Sequence, residues 1–142
     1  MTTAIDTTTT IAAPRDAVWA ALTDWSLAPR WMPGVTAMSG PAQQGAVVTF
    51  TVRGKERTAV VEVLDAPRAL ALLSRSGPVT AVYTYTLTAT AAGTDLHLLG
   101  DVEVRGPLTL LAPVIRRSIS KEDGVQPERL RAVVEPVSRP AG

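Results

Sequence analysis

The sequence has 142 residues, of which 46% are hydrophobic and 19% charged, and its 14 basic residues nearly balance its 13 acidic ones. This composition predicts one globular domain with a hydrophobic core and excludes a disordered chain, while the absence of cysteine excludes disulfides, thiol nucleophiles and thiolate metal sites. We expect no nucleic-acid partner, because the densest basic cluster, Arg116-Arg117 with Lys121, is typical of the solvated face of a helix.

The start of the chain predicts one strand followed by two short helices. Threonine-rich residues 3–11 favour an extended strand, because β-branched side chains fit a strand better than a helix. Apolar residues at helical spacing predict a first helix over 14–24. Ser26 is a suitable N-cap for a second short helix that reaches Trp31, and Met32-Pro33-Gly34 predicts a turn.

Residues 35–105 predict an antiparallel meander of six strands, because apolar runs alternate with glycine and proline turns. Within the runs, apolar and polar residues alternate, which predicts a sheet with one apolar and one polar face. His97 falls on the polar face, so we expect it at the surface. The predicted strands are 35–39, 46–53, 57–65, 69–75, 79–91 and 94–105.

The last segment, Gly106–Glu135, predicts a helix that covers the apolar face of the sheet. Pro113 lies within the first half of this helix, so we expect a kink near Leu110. The residues that recur at helical spacing and form the predicted apolar face are Leu108, Leu111, Ala112, Ile115 and Ile119.

A break is predicted in the second half of the same segment. Gly124 and Pro127 interrupt the helical pattern, so a second piece should begin near Pro127. A hinge that gates a cavity and a tolerated defect are both compatible with this break. The second piece carries Leu130, Val133 and Val134.

The sequence contains no recognisable catalytic or metal-binding constellation. It has a single histidine and no H-E-x-x-H, G-x-S-x-G or phosphate-binding glycine loop, so we expect no metal and no cofactor. The first residues lack the charged and apolar regions of a signal peptide, and no apolar run reaches the roughly 20 residues of a membrane helix. We therefore expect a cytoplasmic protein without an integral membrane segment, and the sequence leaves a homodimer open.

Packing and turn motifs occur along nearly the whole chain. They are Ala13-Pro14 with Leu22-Thr23-Asp24, Pro29-Arg30-Trp31-Met32-Pro33-Gly34-Val35, Ser76-Gly77-Pro78-Val79, Tyr83-Thr84-Tyr85-Thr86-Leu87, Gly93-Thr94-Asp95-Leu96, and Gly106-Pro107-Leu108 with Leu111-Ala112-Pro113. Together with the order of the elements, they resemble the START / polyketide cyclase-dehydrase (SRPBCC) superfamily. The resemblance implies the α+β helix-grip fold: a curved antiparallel sheet of about seven strands gripping a long C-terminal helix, with two short helices between strands 1 and 2. We predict one such domain over 1–142, with a frayed tail at 136–142.

The resemblance also implies an apolar cavity between the sheet and the C-terminal helix, and three functions are compatible with it. The protein binds a hydrophobic or aromatic small molecule such as a lipid, quinone or polyketide; or it is an aromatase/cyclase-type enzyme that uses cavity tyrosines; or it is an interaction or regulatory protein whose cavity is filled. We assign no catalytic residue. The predicted ligand-binding residues are Trp31, Met32, Phe50, Val52, Ser74, Tyr83, Tyr85, Leu98, Leu111 and Ile115.

Several of these residues have an alternative structural role. Tyr83 and Tyr85 offer hydroxyls to a ligand or are core aromatics with a hydrogen-bonded tip. Trp31 and Met32 roof the cavity or pack in the core. We expect four charged residues to be solvated, although an arginine at a strand end would suit the mouth of a cavity: Arg53, Arg57, Glu62 and Arg75.

Overall fold

The structure is a computed structural model that describes residues 1–138. Its strands are β1 (Thr2–Ile11), β2 (Val35–Ser39), β3 (Val47–Val52), β4 (Lys55–Asp65), β5 (Ala69–Ser76), β6 (Val79–Thr90) and β7 (Gly93–Val104). Its helices are α1 (Arg15–Thr23), α2 (Ala28–Trp31), α3 (Ala112–Asp123) and α4 (Gln126–Ser138), with 3₁₀ turns at Trp25–Leu27 and Gly106–Leu111. No helix in this range is long and apolar enough to cross a membrane.

The seven strands form one antiparallel sheet in the order β1-β7-β6-β5-β4-β3-β2. This sheet confirms the predicted fold class, and every predicted strand has a counterpart. The register shifts in β1, β2 and β4, and such irregularities increase twist and help a sheet to curve. His97 lies on the outer face as predicted, with its Nε2 atom 2.6 Å from Oδ1 of Asp6.

The short helices fill the connection between β1 and β2 as the sequence predicts. The residue that caps the second helical segment differs from the prediction. Asp24, rather than Ser26, caps the first turn, because its carboxylate accepts a hydrogen bond from the Ser26 backbone N–H at 3.1 Å. The first helix packs on β6 and β7 and α4 on β1 and β7, whereas α2 packs between α4 and β2. Their contact forms a continuous core of buried side chains, which includes Val18, Leu22, Leu96, Leu98, Leu130, Val133 and Val134.

The C-terminal helix begins later than the sequence predicts. Leu108 and Leu111 lie in a 3₁₀ turn and are exposed, so they do not face the sheet. Pro113 occupies the first turn of α3, where its missing N–H costs nothing, and the predicted kink near Leu110 is therefore wrong. Helical spacing of apolar residues misled the prediction, because a 3₁₀ turn with exposed leucines produces the same spacing.

The predicted break in the C-terminal helix is confirmed. Gly124 and Val125 form a turn between α3 and α4, and Gly124 keeps a hydrogen bond to the Ser120 carbonyl oxygen. A side chain at position 124 would collide with that same oxygen, which explains the glycine. The second helix extends to Ser138, and the remainder of the predicted frayed tail, 139–142, lies outside the described residues.

Candidate functional site: a cavity between the sheet and the C-terminal helix

A cavity of about 560 Å³ lies between α3 and the inner face of strands β2–β6. It exists because α3, like α4, contacts the sheet at β1 and β7, so α3 spans the inner face of β2–β6 without packing closely on it. The volume is within the range of about 300–1,000 Å³ that is typical of small-molecule sites. The apolar part of the lining consists of Met32, Pro33, Val35, Met38, Phe50, Val52, Ala59, Leu72, Val114, Ile115 and Ile119.

Seven of the ten predicted site residues line this cavity, and three do not. The seven are Met32, Phe50, Val52, Ser74, Tyr83, Tyr85 and Ile115. Trp31 is instead a core residue whose ring packs edge-to-face against Tyr85, with 5.7 Å between the ring centroids. Leu98 is buried in the core beside Tyr85 on the neighbouring strand, and Leu111 is exposed on the 3₁₀ turn. Alternation assigned the faces correctly, but it does not show which helix covers each part of a face.

A network of four polar side chains forms one wall of the cavity. Tyr85 donates a hydrogen bond to Oε1 of Gln126 at 2.5 Å, and Gln126 in turn bonds to the carboxylate of Asp123. Tyr83 donates a hydrogen bond to the same carboxylate. The chain therefore joins two strand tyrosines to the turn between α3 and α4.

The electrostatics of this network follow from its burial. Desolvation raises the pKa of Asp123 above its ordinary value, and the hydrogen bond from Tyr83, the charge of Arg53 and the bond from Gln126 only partly oppose this effect. Desolvation and the nearby Asp123 carboxylate also raise the pKa values of Tyr83 and Tyr85. Both tyrosines therefore remain neutral hydroxyl donors, and Asp123 is a carboxyl group that can hold a proton more readily than one in water.

An ion pair lies at the edge of the cavity, next to this network. Arg53, at the end of β3, pairs with Glu122 of α3, and both residues contribute to the lining. Arg53 is largely exposed, so the expectation that a strand-end arginine suits a cavity mouth agrees with its position. The pair joins the end of β3 to α3.

A second arginine has an unexpected position. Arg57 was expected to be solvated, but it is partly buried and lines the cavity. The register explains why: Arg57 is paired with Phe50 and shares the inner face of β4 with the buried residues Ala59 and Val61. Within residues 1–138 no carboxylate forms an ion pair with it. Arg57 thus brings an uncompensated positive charge to the lining, beside Ser74 and the exposed rim residue Arg75.

Residues 1–138 contain no group of three or more His, Asp or Glu side chains that could hold a metal ion. The polar part of the lining consists of hydroxyls, one amide, three arginines and two carboxylates, which are groups that recognise an organic ligand.

A family model described as polyketide cyclase / dehydrase and lipid transport matches residues 2–135. The chain belongs to this family. The resemblance to the START / polyketide cyclase superfamily is thereby confirmed, whereas no curated protein matches the sequence.

Solved structures of similar proteins share the fold over nearly the whole chain. Protein MLL2253 from Mesorhizobium loti has a TM-score of 0.75 and 19% identity, covering 93% of this chain and 96% of its own. A START superfamily protein from Mycobacterium smegmatis has a TM-score of 0.76 and 15% identity, covering 94% and 97%. The di-domain ARO/CYC BexL from the BE-7585A biosynthetic pathway has a TM-score of 0.79 and 19% identity; the match covers 95% of this chain and 47% of BexL. At these identities the similarity shows the fold alone.

Proposed function

We propose that this protein binds a single hydrophobic or aromatic small molecule in the cavity between α3 and the sheet. The observation that carries the proposal is an open, mainly apolar space of about 560 Å³ with a few polar groups on its wall, which is the usual composition of a ligand site. Membership of a family described by polyketide cyclase, dehydrase and lipid transport supports the same conclusion. The alternative of a filled interior does not fit a cavity of this size.

The lining also favours one kind of ligand within that class. Apolar side chains contact the body of the molecule, while the Ser74 hydroxyl donates a hydrogen bond to one of its oxygen atoms. Arg57 offers a cation that is not already neutralised by a carboxylate of the described chain. An apolar molecule with an acidic group, such as a fatty acid or an aromatic carboxylic acid, satisfies all of these groups.

Matched pairs of acids and esters test this proposal. Naphthoic acid and its methyl ester, and lauric acid and its methyl ester, are compared by native mass spectrometry and by thermal shift. We expect complexes of one ligand per chain and a rise in melting temperature. The acids should bind about tenfold more tightly than the esters, because a hydrogen bond to a charged group contributes about 1.5–3 kcal/mol.

Arg57→Met should remove the preference for the acids, and Arg129→Met is the matched control, because Arg129 is exposed on α4 and does not line the cavity. If the Arg57→Met variant still binds the acids more tightly than the esters, groups other than Arg57 bind the acidic group. If no compound of the panel forms a complex or raises the melting temperature, the binding function is rejected.

A second candidate function is an enzyme of the cyclase or dehydrase type, and the contact between Asp123 and Tyr83 favours it. A buried carboxyl with a raised pKa can exchange a proton with a substrate, and the neutral Tyr83 hydroxyl can donate to a carbonyl oxygen as negative charge develops there. Ring closure of a synthetic poly-β-ketone, followed by chromatography and mass spectrometry, tests this activity. We expect Asp123→Asn to lower the rate by about 10²–10⁴-fold and Arg129→Met to leave it unchanged. Equal rates with and without the protein exclude the activity for this substrate.

A further inference from the structure

Large apolar side chains are exposed beside the cavity, on the 3₁₀ turn and the first turn of α3. Leu110 is 90% exposed and Val114 is 62% exposed. Such exposed groups of apolar side chains mark interaction surfaces more often than isolated ones do. We refer to the four residues of this surface as the apolar tip: Leu108, Leu110, Leu111 and Val114.

Three basic residues follow the apolar tip on α3: Arg116, Arg117 and Lys121. From Gly106 to Lys121 the chain carries these three cations and no carboxylate, while Arg105, just before, pairs with Glu103 at 3.3 Å. Among the described residues, no ion pair involves Arg116, Arg117 or Lys121. On α3, Val114, Arg117 and Lys121 recur at helical spacing, so the basic residues continue the exposed stripe that begins at the tip.

The tip offers few polar groups to a specific partner. The hydroxyl of Thr109, which lies between the tip leucines in the chain, donates a hydrogen bond to the Gly106 carbonyl oxygen at 2.7 Å within the turn itself. A protruding leucine flanked by unpaired cations suits a deformable apolar medium with anionic groups at its surface. These are the properties of an anionic lipid bilayer.

We propose that the apolar tip docks the protein on the surface of an anionic bilayer. The leucines enter the boundary between head groups and acyl chains, while Arg116, Arg117 and Lys121 bind the head groups. Docking is peripheral, and none of the helices within 1–138 needs to span the bilayer. Because Val114 belongs to both the tip and the cavity lining, the docked protein has its cavity opening next to the lipid surface.

This last consequence rests on the proposed binding function, whereas docking itself does not. If the cavity binds an apolar ligand, docking lets that ligand pass between bilayer and cavity without crossing water. Vesicle binding is measured without any added ligand, and ligand binding is measured without vesicles. The failure of one proposal is therefore distinguishable from the failure of the other.

Vesicle co-sedimentation tests the docking. The full chain is mixed with vesicles of phosphatidylcholine alone, or with about one third phosphatidylglycerol, at low and at physiological ionic strength. We expect binding to the anionic vesicles, weaker at the higher ionic strength, and little binding to the neutral ones. Leu110→Ser should weaken binding about tenfold, and Arg117→Gln should weaken it about fivefold on anionic vesicles only.

Val47→Ser is the matched control, since Val47 is exposed on β3, away from the tip, and its loss should not change vesicle binding. Equal binding to neutral and anionic vesicles, or unchanged binding of Leu110→Ser, overturns the proposal. Light scattering of the same proteins without vesicles tests whether a second copy of the chain binds the tip instead. A wild type that is dimeric and a Leu110→Ser variant that is monomeric would assign the tip to a second copy of the chain instead.

Discussion

The hydrogen bond between Tyr85 and Gln126 joins the sheet to the start of α4, and its loss should destabilise the protein measurably. The Tyr85 hydroxyl lies 2.5 Å from Oε1 of Gln126, and Gln126 is only 4% exposed. Tyr85→Phe therefore leaves a buried amide oxygen without this donor, which costs about 1–3 kcal/mol of the free energy of unfolding. For a chain of this length, the melting temperature should fall by roughly 4–10 °C.

A double-mutant cycle with Gln126→Met separates this hydrogen bond from other effects. Gln126→Met also removes a hydrogen bond to Asp123, so it should cost about as much as Tyr85→Phe or more. In the Gln126→Met background, however, Tyr85→Phe should cost almost nothing, because no buried oxygen is then left without a partner. The coupling energy is expected to be about 1–2 kcal/mol.

Urea unfolding followed by tryptophan fluorescence measures the cycle, since Trp31 packs directly against the Tyr85 ring. The same cost of Tyr85→Phe in both backgrounds would refute the reasoning. It would mean that the hydroxyl contributes through something other than Gln126.

Three further substitutions test the electrostatics and the break. Asp123 has a raised folded-state pKa, so the folded state holds its proton to higher pH than the unfolded state does. In pH-dependent urea unfolding, the stability of the wild type relative to Asp123→Asn should be greatest below pH 3.8 and fall as pH rises through the folded pKa, and a difference that does not change with pH would contradict the raised pKa. Gly124→Ala should destabilise by about 1–3 kcal/mol in the same assay, because its Cβ meets the Ser120 carbonyl oxygen; a gain of about 1 kcal/mol, as in an ordinary helix, would contradict the observed turn. Glu122→Gln removes the ion pair with Arg53 at the edge of the cavity and should change the free energy of unfolding by less than about 1 kcal/mol. A larger loss would show that this pair contributes more to stability than an exposed ion pair does.

The fold follows from local patterns in the sequence. Alternation and turn residues identify the six strands of the meander, and β-branched threonines identify the first strand. The break at Gly124 is also a local signal. The start of α3 is not, because apolar spacing over 108–111 does not distinguish an exposed 3₁₀ turn from a buried helical turn.

The cavity was only partly predictable. Its apolar lining follows from the inner face of the strands, but Asp123 and Gln126 have no local signature and become neighbours of the tyrosines only through the packing of the C-terminal helices. Arg57 did carry a signal, because it lies in the same alternation as Ala59 and Val61. The general preference of arginine for solvent outweighed that pattern.

The central claim is that the cavity binds an apolar small molecule, and calorimetric titration with naphthoic acid tests it most directly. The titration compares the wild type with Ala59→Trp, since Ala59 lies on the inner face of β4 and an indole there would occupy the ligand's space. We predict saturable binding of one ligand to the wild type and its loss in Ala59→Trp, with cooperative urea unfolding retained. No saturable binding to the wild type, or equal affinity in the two proteins, would contradict a ligand site in this cavity.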